Sequence, residues 1–324
     1  MSATIAHRTV RIDDVDIFYR EAGPQDGPVL LLLHGFPSSS HMFRNLIPVL
    51  ADKYHVVAPD FPGYGQSSAP SIAEFRYTFD NLTDVMEQFT DRLELSTYAM
   101  YLSDIGASVG YRLAVKHPDR VTALVIQNGE AYLEGINQDF SKPLFAYWQD
   151  RSVANEKPLR DWLLTIEGTK WHYVHGARSP EFISPDNWVL DQAYQDRPGN
   201  KEIQLAILYD AKTNLESYAA WQSYFRAHQP PALIVWGQND GIFTVEGARL
   251  YQRDLKDVEF HLFDTGHFAL EEDLDRIGPL IHDFLDRKVA ANVPRERPAT
   301  IELGYDDAPR SCPPESALPV AHRR

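Results

Sequence analysis

Apolar positions in the first 130 residues fall into two alternating rhythms. Short continuous apolar runs at 29–33, 54–58, 97–102 and 121–127 have the length and flanking turn residues of buried strands. Segments 41–51, 79–95 and 106–116 instead repeat their apolar residues at helical spacing. Ahead of them, 9–15 and 16–20 read as a hairpin. This alternation predicts βαβ units and a mostly parallel, doubly wound sheet. From 131 to 228 helix-like segments continue without a buried strand. The α/β rhythm then resumes with a strand at 232–236, a helix at 245–255, a strand at 258–263 and a helix at 270–287. The pattern predicts an α/β core of residues 1–130 and 229–288, a helical cap of residues 131–228 inserted after the sixth strand, and a flexible Pro-rich tail over 289–324. The cap carries Trp148, Trp162, Trp171, Trp188 and Trp221, five of the six tryptophans. These either line an apolar pocket or form the cap's own core.

Composition narrows the class of protein. With 324 residues, 44% hydrophobic and 24% charged, the chain has the proportions of a globular enzyme. Its net charge of −15 opposes nucleic acid and anionic membrane surfaces as main partners, and leaves a small molecule as the expected ligand. The single cysteine, Cys312, can form neither an intramolecular disulfide nor a zinc cluster. The first eleven residues lack the apolar core of a signal peptide, and the aliphatic run at 29–33 is too short to span a bilayer. A cytoplasmic protein, monomeric or homodimeric, is the expectation.

The chemistry concentrates where the fifth strand runs directly into a helix, at Tyr101-Leu102-Ser103-Asp104-Ile105-Gly106-Ala107-Ser108-Val109-Gly110. A sharp strand-to-helix turn can hold a nucleophile above the sheet. Gly106 to Gly110 matches G-x-S-x-G and would make Ser108 that nucleophile. The strand would then have to continue through Asp104 and Gly106, which a buried central strand disfavours, and the helix would shrink to about two turns. With Asp104 at the turn, the strand stays apolar and Ser108 becomes a small helix-packing residue. An Asp opening a helix is by default an N-cap. The remaining loops argue for more. Asp240 follows the next-to-last strand and His267 the last, and parallel strands bring such loops to one edge of the sheet. Asp104, Asp240 and His267 stand in the chain order nucleophile, acid, histidine.

Four further motifs extend this pattern: His34-Gly35-Phe36-Pro37, Asp60-Phe61-Pro62-Gly63-Tyr64-Gly65-Gln66-Ser67, Ser103-Asp104-Ile105-Gly106 and His117-Pro118-Asp119-Arg120-Val121. On these the chain resembles the α/β-hydrolase family over roughly residues 10–287, and within it the branch with an aspartate nucleophile. They are similar, in order, to the HGxP turn, the D-x-P-G-x-G-x-S turn, the H-D-x-G elbow of epoxide hydrolases, and the H-P-E-R-V that ends the elbow helix. In the family that His-Pro stands thirteen residues beyond the nucleophile, as it does here beyond Asp104.

The resemblance implies an α/β-hydrolase fold with a helical cap and an enzyme that needs no metal or cofactor. Asp104 would attack an sp³ carbon to form an alkyl–enzyme ester. His267, oriented by Asp240, would activate the water that cleaves it, and the backbone N–H groups of Phe36 and Ile105 would hold the oxyanion. Glu130 is a second candidate for the acid, because some relatives carry it after the sixth strand. Haloalkane dehalogenases usually place a Trp, and fluoroacetate dehalogenases an Arg, directly after the nucleophile. Ile105 and Phe36 offer no side-chain donor to a halide. HGFP is the form epoxide hydrolases favour, so the implied reaction is opening of a small, apolar or moderately polar epoxide to a diol. That needs an acid from the cap, for which Tyr218, Tyr209, Tyr173 and His175 are candidates. Two positions depart from the family pattern: Ala211-Lys212 stands where relatives often carry Tyr-Arg, and Ser103 replaces the usual His of the elbow. The alternatives are dehalogenation by the same alkyl-ester route, Ser108-dependent ester or lactone hydrolysis, and a non-catalytic binder.

Overall fold

A computed structural model describes residues 4–290. The strands are β1 (Ala6–Ile12), β2 (Val15–Ala22), β3 (Val29–Leu33), β4 (His55–Pro59), β5 (Tyr98–Ser103), β6 (Val121–Gln127), β7 (Ala232–Gly237) and β8 (Val258–Phe263), with the most apolar runs in the central ones. They make one sheet in the order β1-β2-β4-β3-β5-β6-β7-β8. β2 runs antiparallel to both β1 and β4, and every other pairing is parallel. This is the α/β-hydrolase fold anticipated above.

Helices α1 (Ile47–Leu50), α2 (Phe79–Arg92) and α3 (Ile105–Lys116) connect the early strands. Between β6 and β7 lie α4 (Gln138–Gln149), α5 (Val153–Pro158), α6 (Ile166–Val174), α7 (Asp186–Gln195), α8 (Asn200–Asp210) and α9 (Lys212–His228). α10 (Val245–Asp254) and α11 (Leu270–Lys288) complete the core. Alternate side chains of the central strands serve opposite faces, as the pleat requires. Leu31, Leu33, Met100 and Leu102 pack with Phe79, Met86, Tyr111 and Tyr251 of α2, α3 and α10. Leu30, Leu32, Ala99 and Tyr101 pack with Ile47 of α1 and with Ile277, Ile281 and Phe284 of α11. Residues 4–290 belong to one compact unit, helices α4–α9 included. The last of these, α9, adds Trp221 and Phe225 to the sheet's own core.

One predicted helix changes form. The helix predicted over 41–51 is a 3₁₀ turn, Ser40–Phe43, followed by the single turn of α1. Pro48, in the first turn of α1, lacks the N–H a continuous helix would use. The tail predicted over 289–324, with Cys312, lies outside the described residues apart from Val289 and Ala290. No helix among the described residues is long and apolar enough to cross a membrane.

Candidate active site

At the end of β5 the chain turns at Asp104 with φ 49° and ψ −121°, and α3 begins at the next residue. A positive φ on a residue with a Cβ costs on the order of 1–3 kcal/mol and persists only where surroundings hold it. Here the Asp104 N–H donates to the Asn128 carbonyl (3.1 Å), and the Asp104 carbonyl accepts from the Ala107 N–H (3.0 Å). Two glycines admit the turn. A Cβ on Gly106 would meet the Leu33 carbonyl oxygen at 2.3 Å, and one on Gly35 would stand 2.6 Å from the Asp104 Cβ.

The Asp104 carboxylate emerges beneath the turn after β3. Its Oδ1 accepts the Phe36 N–H at 2.7 Å, and its Oδ2 lies 3.9 Å from Nε2 of His267. Burial raises its pKa above the ordinary aspartate value, against the lowering effects of His267 and of the Phe36 and Ile105 N–H groups. The turn that carries Phe36 is itself fixed. His34 accepts the Phe61 N–H at Nε2 (3.0 Å) and donates from Nδ1 to the Gly35 carbonyl (3.1 Å), which requires the neutral ring. Burial pushes the His34 pKa down to about 4, consistent with that tautomer. Asp60 braces the same region by accepting the N–H groups of Ser40 (2.7 Å) and Gln66 (2.8 Å).

His267, in the loop after β8, donates from Nδ1 to Oδ2 of Asp240 at 2.8 Å. Asp240 also accepts the Ile242 N–H (2.8 Å) and the Asn128 side-chain amide (2.8 Å). Burial favours the neutral imidazole, but the Asp240 charge and hydrogen bond, joined by Asp104, outweigh it and raise the His267 pKa above 6.5. The ring thus presents Nε2 to Asp104 with its tautomer set by Asp240.

Asn128 went unrecognised in the sequence. Besides binding Asp240, it accepts the Gly237 N–H (2.9 Å) and donates to the Gly237 carbonyl (3.2 Å), tying the loop after β6 to that after β7. The available signal was a carboxamide at the carboxyl end of a buried parallel strand. Glu130, two residues on, makes no bond to His267. Its Oε1 accepts the N–H groups of Ala131 (2.7 Å) and Tyr132, while Oε2 has no hydrogen-bond partner among the described residues and sits against Gly135 and Gly247. Burial pushes the Glu130 pKa up to about 8. The carboxylate on His267 is Asp240.

Above Asp104 lies an apolar cavity of about 160 Å³, bordered below by Phe36, Ile105 and Ser108 and above by Phe140, Trp148 and Trp162. A cavity of roughly this volume holds a benzene-sized molecule. Ser108 stands on α3 one turn beyond Asp104, off the elbow, and makes no hydrogen bond to His267. The four cap donors singled out from the sequence do not border this cavity. Tyr218 packs on Trp221 with ring centres 5.3 Å apart. Tyr209 packs on Tyr147 and under Lys212. Tyr173 donates to Asp191 (2.5 Å) and stacks on Phe268, and His175 stacks on Trp171. The polar residues of α4–α9 that do border it are Ser141, His172 and Asn214. His172 donates from Nδ1 to the Gly168 carbonyl (2.7 Å), and burial lowers its pKa to about 4, so near neutral pH its Nε2 carries a lone pair. Helical spacing in the sequence did not show which face of each cap helix turns toward the cavity. Among the described residues no group of three or more His, Cys, Asp or Glu side chains is arranged to hold a metal ion.

Comparison with known proteins places this geometry in context. The profile of the alpha/beta hydrolase fold family matches residues 28–274. An uncharacterized hydrolase of Saccharomyces cerevisiae is 41% identical over 275 residues, 84% of this chain and 94% of the relative. A haloalkane dehalogenase of Mesorhizobium japonicum is 30% identical over 302 residues, covering 87% of this chain and 92% of its own. Among solved structures, haloalkane dehalogenase DbeA of Bradyrhizobium elkani superimposes with a TM-score of 0.75 at 22% identity. That match covers 89% of this chain and all of the other.

Proposed function

The chain belongs to the α/β-hydrolase family, and from that premise we propose that it hydrolyses a small electrophile through a covalent alkyl ester on Asp104. The observation that carries this reading is the setting of the Asp104 carboxylate. One oxygen sits on the Phe36 N–H, and the other faces both the cavity and His267 Nε2. In the first step an Oδ2 electron pair forms a C–O bond to an sp³ carbon, and the bond from that carbon to the leaving atom breaks with its pair. In the second, His267 Nε2 removes a proton from water as the water oxygen bonds to the ester carbonyl carbon. The oxyanion that develops on Oδ1 already has its N–H donors in place, an arrangement typically worth ~3–4 kcal/mol per donor. Collapse expels the alcohol, which takes up the proton, and restores Asp104.

Within this route, the HGFP turn and the Ser-Asp-Ile-Gly elbow favour an epoxide, opened to a vicinal diol. A dehalogenase is the second reading, and two observations favour it. Among the described residues no tyrosine hydroxyl borders the cavity to protonate an alkoxide, and haloalkane dehalogenases are among the relatives. The deciding experiment uses His267→Gln, which retains the nucleophile and lacks the base. Incubated with small terminal epoxides and haloalkanes, it should accumulate an adduct on Asp104, read by intact mass and peptide mapping. Addition of the whole substrate mass identifies an epoxide, and addition less hydrogen halide a haloalkane. An adduct on Ser108, or none with any compound, sinks the ester route.

A further inference from the structure

With the four anticipated cap donors turned away from the cavity, the leaving atom needs another partner. α9 begins against the cavity, where Ala211 and Asn214 both border it. The Asn214 side chain is not free to choose its orientation. Its Oδ1 accepts from Nη1 of Arg112 at 2.7 Å, and a guanidinium only donates, so the amide oxygen must face Arg112 and the NH₂ must face away. Arg112 is itself held by three further hydrogen bonds and two aromatic rings. It donates to the Ser108 carbonyl (3.2 Å), Thr213 Oγ1 (3.1 Å) and Asp80 (2.9 Å), and its guanidinium lies 5.3 and 5.2 Å from the ring centres of Phe79 and Trp221. Nδ2 of Asn214 has no hydrogen-bond partner among the described residues, although the rest of the amide is fixed. A cation on its oxygen also polarises the amide and strengthens its N–H as a donor.

We infer that Asn214 Nδ2 is the donor that receives the leaving atom when the Asp104 ester forms, with Arg112 fixing its orientation. The inference rests on the ester route proposed above. As Asp104 Oδ2 bonds to carbon, the departing atom takes the bond pair and comes to rest on the Asn214 N–H. An amide stabilises such an anion without surrendering a proton. A halide needs nothing more, whereas an alkoxide takes its proton from solvent. The chemistry recognised is thus a compact anion at the cap end of an apolar cavity.

The test exploits an isosteric change. Asn214→Asp keeps an oxygen for Arg112, and so keeps any structural role, but has no N–H. In the His267→Gln background the rate of adduct formation on Asp104 should fall on the order of 10²-fold for Asn214→Asp and for Asn214→Ala, with thermal stability of the aspartate variant close to that of its parent. A second readout needs no turnover. In Asp104→Asn, whose neutral side chain mimics the charge of the ester, bromide should quench the fluorescence of Trp148 and Trp162 saturably, and Asn214→Asp should weaken that binding at least tenfold. Adduct formation within threefold of the parent, or bromide binding that is absent or indifferent to residue 214, overturns the inference. Failure of every compound to label Asp104 while bromide still binds through Asn214 would instead remove the ester route and leave the anion donor standing.

Discussion

At the residue scale, the candidate site is a set of charges whose protonation depends on one another. Burial disfavours an imidazolium at position 267, yet Asp240 at 2.8 Å and Asp104 at 3.9 Å raise its pKa above the ordinary value. Converting Asp104 to an ester removes one of those two charges. The raised pKa therefore relaxes downward at the stage of the proposed cycle when a neutral base is required. Asp104→Asn reproduces that loss of charge, so it should lower the His267 pKa relative to wild type. Nuclear magnetic resonance titration of the ring nitrogens measures this directly, and an unchanged or higher value would show that Asp104 exerts no appreciable field on the ring. The sequence made part of this arrangement legible. The three principal residues sit at strand ends, where topology alone brings them together. The Arg112–Asn214 pair was illegible, and Asn128 left only its place at a strand end as a signal, because their roles arise from contacts across 102 and 112 residues of chain.

At the element scale, the elbow exists because α3 can approach β3 closely. Gly106 and Gly110 both lie on α3, and the obstacles to a Cβ at each differ in kind. At Gly106 the obstacles are the Leu33 and His34 carbonyl oxygens, at 2.3 and 2.6 Å, whereas at Gly110 it is the Leu102 side chain, also at 2.3 Å. Backbone cannot yield without moving a strand, but a leucine can change rotamer. Gly106→Ala should therefore destabilise the protein by about 1–3 kcal/mol and displace Asp104. Gly110→Ala should cost distinctly less, and denaturant unfolding of the two variants makes the comparison; equal losses would mean that α3 tolerates lifting from β3. The same contrast explains which elements the sequence revealed. β3 and β6 match their predicted limits because each is a mostly apolar run flanked by turn residues, and β8 matches because its apolar residues alternate with polar ones at the strand period. The segment 41–51 did not match, because its apolar periodicity continues through Pro48 while its hydrogen bonding cannot. In the cap, periodicity located helices but could not say which face of α6 or α9 meets the cavity, since both flanks of these helices are packed. Tyr173 and Tyr218 accordingly turned out buried in protein, and His172 and Asn214 turned out to border the cavity.

At the scale of the whole molecule, buried titratable groups give the fold an unusual dependence on pH. His34, His41 and His172 are held neutral, with pKa values lowered to about 4, chiefly by burial. Their unfolded counterparts still bind protons up to about pH 6.5, so stability rises with pH across that interval. Carboxylates with depressed pKa values, such as Glu21 and Asp254, have delivered their contribution by then. Above pH 6.5 the balance reverses. Glu130 and Asp191 are buried with pKa values raised to about 8, and each leaves one carboxyl oxygen without a hydrogen-bond partner among the described residues. The folded protein retains their protons after the unfolded chain has released them, so these two acids lower stability from about pH 4 to 8, outnumbered by the three histidines below pH 6.5 and unopposed by them above it. His267, whose raised folded pKa gives stability present below 6.5 and lost above it, acts in the same direction. Stability should therefore peak near pH 6.5. Glu130→Gln, which has no proton to lose, should remove about 2 kcal/mol of the wild-type decline between pH 6.5 and 8. Urea unfolding of both proteins at the two pH values tests this, and an undiminished decline in the variant would assign the loss to groups other than Glu130. Asp191→Asn gives the matching test at the second acid, whose carboxyl accepts from Tyr173 of the adjoining helix. If both variants flatten the profile, the decline in stability between pH 6.5 and 8 is carried by two buried acids outside the proposed catalytic set.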